Sequence, residues 1–451
     1  MKAQTLKGTR DFLPDQIAKR KYIFEVIEKV FQKFAFSQIE TPAMEAMTTL
    51  SGKYGEEGDK LLFKILNNGD FLEKADETAL QEKDSFKLAP SIAKRGLRYD
   101  LTVPFARFVV NNQNDLVFPF KRYQIQPVWR ADRPQRGRYQ EFYQCDADVV
   151  GSNSFVYEAE LMQIYHEVFK SLGIEVIIKI NNRKVLFGLA EAAGIANHFV
   201  DMTVAIDKLD KIGKEGVEKE LVEKGINAQA IEKIFAMLSV SNYSDLTQFF
   251  DENSEGKKGL VELQTVFSYL QNSNVDNVHF DVKLARGLGY YTGCIFEVAV
   301  DTSKHSGVVM GSIGGGGRYD NLTASFGLSG MSGVGISFGA ERIYDVLTEL
   351  NLFPTHIDSK PKIVLMAMDR NSLFYAFQVA SQLRSFGLNI DIYPEPSKLK
   401  KQIKYADDKG VQFAGIIGEQ EVTDQKVMCK NLLSGEQNLV SIQELVTILQ
   451  K

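Results

Sequence analysis

Apolar residues recur at helical spacing near the start of the chain. Between residues 15 and 36 they lie three or four positions apart, as Ile23, Ile27 and Val30 do, which is typical of a helix that buries one face. Pro42 follows, and it must end or bend any helix that reaches it. The pattern therefore predicts an amphipathic helix over 15–36.

Farther along, the pattern changes to that of extended strands. "FKRYQIQPVWR" and "YQEFYQCDADVVG" flank a polar loop in which Pro134 and Gly137 are turn formers. Residues 118–151 are therefore predicted to form two strands joined by a loop.

The residue pattern in the rest of the chain predicts several domains. A charged stretch almost free of proline predicts a helical insertion, and a tail that alternates strand with helix predicts a small α/β domain with a largely parallel sheet. The predicted divisions are 1–184, the helical insertion 185–272, a continuation of the first domain over 273–350, a linker 351–361 and the α/β domain 362–451.

Composition narrows the class of protein. A chain of 451 residues is too long for one ordinary core. With 53 basic and 58 acidic residues, its net charge of −5 excludes binding to nucleic acid by overall charge, although not by a local basic surface. Scattered cysteines and histidines argue against a disulfide framework or a structural metal site. Nothing resembles a signal peptide or membrane span, so we expect a cytoplasmic protein that contacts no membrane.

Arginines concentrate around the predicted loop. Arg130 follows two apolar residues at the end of a strand, and Arg133, Arg136 and Arg138 lie in the loop itself. A guanidinium placed at a strand end needs an anion, and its planar fork suits phosphate oxygens. Phosphate binding and a structural salt bridge both remain open for Arg130.

Acidic and polar side chains share faces of two predicted extended segments. Asp100 and Thr102 lie two positions apart, and Gln144, Asp146 and Asp148 do the same farther along. Carboxylates among apolar strand residues are costly unless they are paired. They predict either buried ion pairs with arginine or a site for a ligand amine.

Six motifs occur in the order expected of the histidyl-tRNA synthetase family, and they span residues 7–343. The motifs are "KGTRDFLP", "LRYDLTVPFAR", "RADRPQRGRYQEFYQCDADVVG", "LARGLGYYTG", "GGGRYDNL" and "GVGISFGAERI". The chain resembles this class II synthetase family, and the resemblance implies an α+β catalytic domain built on an antiparallel sheet flanked by helices. It also implies that 362–451 is an anticodon-binding α/β domain and that the protein is a homodimer.

The resemblance implies an activity as well. Members of the family join L-histidine to ATP, accompanied by Mg²⁺, to give histidyl-adenylate and pyrophosphate. They then transfer histidine to the terminal adenosine of tRNA(His). Attack on the α-phosphate accumulates negative charge on its oxygens, and fixed cations aimed there lower the barrier.

Residue roles carry over at positions that match the motifs. The catalytic arginines would be Arg286 and Arg130, and ATP would be held by Arg130, Arg138 and Arg342. The histidine-binding residues would be Asp100, Thr102, Arg130, Gln144, Asp148, Arg286, Tyr290 and Tyr291. The tRNA acceptor end would meet Arg133, Gln135 and Arg136.

One position departs from the family pattern, and two rival functions stay open. Gly289 stands where the family usually has Asp or Asn, which puts the finer geometry of the substrate site in doubt. One rival is a regulatory subunit of the first enzyme of histidine biosynthesis, a binding protein that usually lacks the C-terminal domain and has lost the arginines. The other is a synthetase for proline or threonine, against which the "YYTG" element argues.

Overall fold

A computed structural model of the protein describes residues 3–285, 289–355, 357 and 360–450. Arg286, predicted to act on the reacting phosphate, lies outside the described residues. The chain divides into two compact units, Met1–Pro354 and Thr355–Lys451. Within the described ranges, no helix is both long enough and apolar enough to cross a membrane.

The first unit opens with helix α1 (Pro14–Lys33), close to the predicted 15–36. Pro14 occupies its first turn, where its missing N–H costs nothing, and Ile23, Ile27 and Phe31 are buried. The helix ends earlier than predicted because Ala35 adopts a left-handed backbone conformation, with φ of 60°.

The remaining elements of the first unit follow in chain order. They are β1 (Ser37–Gln38), β2 (Met44–Ala46), α2 (Met47–Leu50), α3 (Gly55–Lys60), β3 (Lys64–Ile65), α4 (Glu77–Gln81), α5 (Ser85–Ile92), β4 (Arg95–Leu97), α6 (Thr102–Asn111), β5 (Phe120–Trp129), β6 (Glu141–Val150), α7 (Val156–Leu172), β7 (Val176–Asn182), α8 (Arg183–Ala192), α9 (Phe199–Ile206), α10 (Leu209–Glu223), α11 (Ala228–Leu238), α12 (Glu255–Leu270), β8 (Val278–Phe280), β9 (Cys294–Val300), β10 (Gly314–Tyr319), β11 (Gly333–Gly339) and α13 (Ala340–Glu349). Short 3-10 helices lie at Ala196–His198, Tyr243–Phe249 and Thr323–Phe326.

An eight-stranded sheet carries this unit, in the order β1-β5-β6-β11-β10-β9-β7-β8. Its inner neighbours are antiparallel, as predicted, whereas the edge pairs β1–β5 and β7–β8 are parallel. Each parallel pair is joined by a long connection, which a parallel crossover requires. Buried side chains of α1, α7 and α13 pack with the sheet in one apolar core, so the α+β fold with flanking helices is confirmed.

The chain between β7 and β8 is mainly helical and contains α8 to α12. Buried apolar side chains of these helices, such as Leu189, Ile234 and Leu263, belong to the same core as the sheet. A second, three-stranded sheet has the order β2-β4-β3, and α6 begins five residues after β4 ends.

The second unit contains a five-stranded sheet in the order β13-β12-β14-β15-β16. Its elements are β12 (Ile363–Ala367), α14 (Arg370–Ser385), β13 (Ile390–Ile392), α15 (Leu399–Asp408), β14 (Phe413–Ile417), α16 (Glu419–Asp424), β15 (Val427–Asn431), β16 (Gln437–Val440) and α17 (Ile442–Leu449). The predicted parallel arrangement is right for β12, β13 and β14. It is wrong for β15 and β16, which add an antiparallel hairpin, because short strands rich in polar residues give little periodic signal.

Candidate active site

One cavity of about 820 Å³ in the first unit contains most of the predicted site residues. The predicted residues that line it are Asp100, Thr102, Arg130, Arg138, Gln144, Asp148, Tyr290, Tyr291 and Arg342. Arg133, Gln135 and Arg136 are not among the lining residues, and Arg286 lies outside the described part of the chain. The sheet thus brings together side chains that are far apart in sequence.

Arg130 lies just beyond β5 with its guanidinium held in a fixed plane. Its Nε donates a hydrogen bond of 3.0 Å to the carbonyl of Tyr99. The guanidinium carbon lies 4.3 Å from the centre of the Tyr99 ring and 5.1 Å from that of Phe142. Its two terminal nitrogens make no hydrogen bond or ion pair with the described residues, so the fork is available to an anion.

Arg342 lies in the first turn of α13 and packs against the loop between β5 and β6. Its Nε donates 3.0 Å to the carbonyl of Gly137, and its Nη1 donates to the carbonyl of Ser312. Gln135 and Arg138 close a tight turn through paired backbone hydrogen bonds of 3.1 and 2.9 Å. The turn puts Arg138 at the cavity beside Arg342.

The three residues predicted to contact tRNA lie in the same loop but away from the cavity. Arg133, Gln135 and Arg136 are exposed. Arg136 makes an ion pair with Glu349 near the end of α13. The loop therefore presents one arginine to the cavity and two others to its outer surface.

Asp100 and Thr102 both line the cavity, but the segment that carries them is not extended as predicted. Thr102 begins α6, and Asp100 accepts a hydrogen bond of 3.1 Å from the amide of Val103. A carboxylate at this place satisfies an amide that a helix start leaves unpaired, and this favours the helix over the strand.

Two tyrosine hydroxyls also contact Asp100. The hydroxyl of Tyr54 donates to it at 3.1 Å and that of Tyr290 at 3.3 Å. Burial raises the pKa of Asp100, while the Val103 amide, Arg130 and the two hydroxyls oppose that shift. The carboxylate is thus a buried acceptor with its orientation fixed by three donors.

Asp148 is buried beside a cation that sequence reasoning missed. Arg122 lies directly opposite Asp148 in β5, and its guanidinium reaches the carboxylate at 2.7 Å. Tyr319 donates its hydroxyl to Asp148 at 2.5 Å. Burial raises the pKa of Asp148, and Arg122 and Tyr319 oppose the rise. Cross-strand pairing of a basic with an acidic position was the signal that could have identified Arg122.

Gln144 is oriented by β11. Its side-chain amide donates 3.0 Å to the hydroxyl of Ser337. Its Oε1 is buried and accepts no hydrogen bond from the residues that the structure describes. A buried acceptor without a donor is costly, and a ligand N–H in the cavity would satisfy it.

Tyr290 and Tyr291 pack edge to face, with ring centres 4.8 Å apart. Burial raises the pKa of Tyr290 well above its usual value, so its hydroxyl stays a proton donor at neutral pH. A Cβ added at the neighbouring Gly289 would meet none of the described atoms within 4 Å. Steric crowding by the described residues therefore does not explain why this position is glycine.

Glycine is required where β10 and β11 approach each other and the cavity. A Cβ at Gly316 would lie 2.0 Å from the carbonyl oxygen of Gly335, and one at Gly335 would lie 1.9 Å from the carboxylate of Asp148. Real side chains cannot approach so closely. The glycine run is therefore a close-packed strand in the wall of the cavity and not a separate phosphate loop.

Glu341 is a second residue that sequence reasoning missed. It precedes Arg342, lines the cavity and binds two arginines from the start of the chain. Arg20 reaches its two oxygens at 2.6 and 2.7 Å, and Arg10 also pairs with it. The Arg10 guanidinium lies 3.3 Å from the centre of the Tyr139 ring, so this cluster ties the N-terminal segment to the loop and to α13. The acidic neighbour of Arg342 was the available signal.

No group of three or more His, Cys, Asp or Glu side chains in the described residues is arranged to hold a metal ion. The side chains do not fit a metal held by protein alone. Magnesium that arrives with ATP would have its ligands chiefly on phosphate oxygens and water.

Comparisons with known proteins show which family the chain belongs to. A family model described as histidyl-tRNA synthetase matches residues 66–343, and one described as an anticodon binding domain matches residues 362–451. The chain belongs to the histidyl-tRNA synthetase family. A curated relative named histidine–tRNA ligase from Christiangramia forsetii is 52% identical over 440 residues, 96% of each chain. Another of that name, from Bacteroides fragilis strain YCH46, is 51% identical over 451 residues, 99% of this chain and 98% of the other.

Two solved structures resemble the chain in fold. The histidyl-tRNA synthetase of Nostoc sp. PCC 7120 is 31% identical, with a TM-score of 0.81 over 100% of this chain and 99% of that one. A protein from Bacillus halodurans C, described as an ATP phosphoribosyltransferase regulatory subunit/histidyl-tRNA synthetase, is 20% identical, with a TM-score of 0.72 over 92% of this chain and 97% of that one. The second likeness shows the fold alone.

Proposed function

We infer that this protein is a histidine–tRNA ligase. It activates L-histidine with ATP, releases pyrophosphate, and then transfers histidine to the terminal adenosine of tRNA(His). The observation that carries the inference is the shared cavity, in which Arg130 and Arg342 occur together with the buried acceptors Asp100, Gln144 and Asp148.

The first step needs placement and charge more than proton transfer. Both the histidine carboxylate and the α-phosphate arrive ionised, and attack adds negative charge to the phosphate oxygens. Arg130 would hold the α-phosphate, because its fork is fixed against Tyr99. Arg342 and Arg138 would bind ATP where they meet at the loop. Arg286 remains predicted as the second cation at the reacting phosphorus.

Recognition of histidine would divide the cavity between two groups of side chains. The α-ammonium needs acceptors, which Asp100, Thr102 and Gln144 offer. The imidazole ring needs a donor and an acceptor at fixed places. Asp148, oriented by Arg122 and Tyr319, would face the ring together with Tyr290 and Tyr291. A site built this way rejects amino acids that lack the ring nitrogens.

Amino-acid-dependent ATP–pyrophosphate exchange tests the function directly. We expect the purified protein to exchange pyrophosphate into ATP with L-histidine and with none of the other standard amino acids. Exchange with proline or threonine would favour the related synthetases. Binding of histidine with no exchange would favour the regulatory subunit.

Transfer to tRNA would use the outer surface of the loop. Arg133 and Arg136 are exposed there, where they could contact the backbone phosphates or the terminal bases of the acceptor end. The separate unit Thr355–Lys451 would bind the anticodon.

Replacing Arg133 and Arg136 together by alanine should separate the two steps. Each lost phosphate contact weakens tRNA binding, so KM for tRNA should rise about tenfold or more while ATP–pyrophosphate exchange stays within twofold of wild type. An equal fall in both activities would contradict a role in tRNA binding.

We propose that the protein is a homodimer, because apolar side chains are exposed on the surface of the single chain. Between residues 44 and 86 the exposed ones are Met44, Leu66, Phe71, Leu72, Leu80 and Phe86, and such a concentration is common where proteins associate. Sedimentation equilibrium that gave the mass of one chain, 50.7 kDa, would exclude the dimer. The cytoplasmic location stays a prediction.

A further inference from the structure

Asp146 is a buried carboxylate in the cavity to which no role has been assigned above. It lies between Gln144 and Asp148 on β6, its side chain is 2% exposed, and it lines the same cavity. The amide of Gln144 approaches it only at 3.5 Å. The hydroxyl of Ser337, directly opposite in β11, is its other side-chain partner.

The charges around Asp146 do not balance. Three buried carboxylates, those of Asp100, Asp146 and Asp148, line the cavity, and the buried guanidinium near them is that of Arg122. That guanidinium pairs with the Asp148 side chain at 2.7 Å. It reaches Asp146 only through the backbone carbonyl, at 3.3 Å. Within the described residues, no cation forms an ion pair with the Asp146 carboxylate, and a buried carboxylate without a cation tends to take up a proton.

The electrostatic balance supports the same conclusion. The pKa of Asp146 is raised to about 7, chiefly by burial, and the nearby charges of Asp148 and Asp100 contribute to that rise. Arg122 and the Ser337 hydroxyl oppose the rise. A pKa near 7 means that the carboxyl group is partly protonated at neutral pH.

Two neighbouring side-chain amide oxygens accept no hydrogen bond from the described residues, and the one that lines the cavity, on Gln144, points to a ligand at this place. Gln144 is 8% exposed, and its buried Oε1 accepts no hydrogen bond from the described residues. Gln124 lies directly opposite Asp146 in β5. Its Oε1 is also buried and accepts no hydrogen bond from the described residues. Cross-strand partners point to the same face of a sheet. An ammonium bound in the cavity would bring an N–H to the oxygen of Gln144, which lines the cavity, whereas Gln124 is not among the lining residues.

We propose that Asp146 is a further histidine-binding residue, which contacts the α-ammonium beside Asp100 and Gln144 and releases a proton to solvent when the ammonium binds. The proposal rests on the proposed function. Among the described residues, Arg122 pairs with Asp148 and Arg130 acts on Asp100, so Asp146 has no cation of its own and takes up a proton until a ligand binds. The ammonium supplies the missing positive charge and N–H donors, so the proton is no longer needed.

Protonation of Asp146 and binding of histidine should oppose each other. Below pH 7 the proton on Asp146 must leave before the ammonium can be paired, so the affinity for histidine should rise as the pH increases from 6 to 7. Above pH 8 Asp146 is already ionised, and the dependence should flatten. The titratable groups that face Asp146 are Asp100 before α6, Arg122 on β5 and Asp148 on β6.

Calorimetry on the Asp146→Asn variant tests the proposal. Histidine binding would be measured at pH 7 in two buffers with different heats of ionisation, which gives the number of protons released. Wild type should release about half a proton more than D146N. The imidazole of the ligand contributes equally to both proteins and cancels. We expect D146N to bind histidine at least tenfold more weakly at pH 8, because asparagine cannot supply the negative charge.

Asp320→Asn is the matched control. Asp320 accepts hydrogen bonds of 2.6 Å from Thr292 and Ser332 and is not among the cavity-lining residues. D320N should release the same number of protons as wild type. Equal proton release by wild type and D146N, with wild-type binding intact, would overturn the role of Asp146 alone. Absence of histidine binding by wild type would overturn the proposed function and this inference together.

A second measurement covers the case in which D146N does not fold. Wild type would be titrated at pH 7 with L-histidinol, which keeps the amine, and with imidazolepropionate, which lacks it. After subtraction of the ionisation of each imidazole, only histidinol should release the Asp146 proton. Equal release by both ligands would contradict the proposal.

Discussion

Arg130→Ala should lower histidine-dependent ATP–pyrophosphate exchange by about 100- to 1,000-fold, the usual effect of removing one donor aimed at charge that develops in a transition state. The guanidinium is fixed by the Tyr99 carbonyl and two aromatic rings, so its fork needs no reorganisation when the phosphate arrives. Most of the loss should appear in kcat, because the charge on the phosphate oxygens grows after ATP has bound.

Two variants serve as controls for Arg130. Arg130→Lys keeps the charge but loses the planar fork, and it should recover only part of the rate. Arg133→Ala removes an exposed arginine three residues farther along, which is not among the cavity-lining residues, and exchange should stay within twofold of wild type. Thermal unfolding should change little in R130A. Exchange within tenfold of wild type would mean that Arg130 does not act on the phosphate.

Glu158→Ala should cost about 3–5 kcal/mol in the free energy of unfolding, the range for breaking one side of a buried ion pair. Glu158 on α7 is fully buried, and Arg318 on β10 is 4% exposed. Arg318 binds both carboxylate oxygens, at 2.5 and 2.7 Å. Removal of the carboxylate leaves a buried guanidinium whose remaining acidic partner, Asp320, lies 3.8 Å away. Urea unfolding followed through Trp129, the only tryptophan of the chain, measures the effect in the unit that contains the sheet.

Glu160→Ala on the same helix is the matched control. Glu160 pairs with Lys121 at 2.7 Å, but these side chains are 26% and 18% exposed, so the loss should be at most about 1 kcal/mol. The double change Glu158→Leu with Arg318→Met should recover much of the stability, because it removes both charges. Equal losses in E158A and E160A would show that burial does not set the strength of the pair.

Local patterns were enough to predict two of the strands that carry cavity residues. The two strands around residues 118–151 and the shared face of Gln144, Asp146 and Asp148 follow from alternation along a strand. The roles of Arg130 and Arg342 needed the family resemblance, because a lone arginine at a strand end fits a salt bridge as well as a phosphate.

Features that depend on contacts across the chain could not be predicted in this way. The role of Arg122 depends on the strand register, which places it opposite Asp148 and which alternation along either strand does not fix. Glu341 gives no sign of the two arginines, more than 300 residues away, that bind it. The helix at Thr102 was missed because its start depends on one side-chain hydrogen bond from Asp100, which competes with the extended pattern of the neighbouring residues.

The glycines of β10 and β11 limit how the cavity could be redesigned for another amino acid. Every single-base change that replaces glycine adds a side chain, and at Gly316 and Gly335 the added carbon would collide with a strand backbone or with Asp148. In a directed-evolution library that varies every position of both strands, most variants would therefore misfold. A productive library would keep these two codons fixed and vary the tyrosines, amides and carboxylates that surround them.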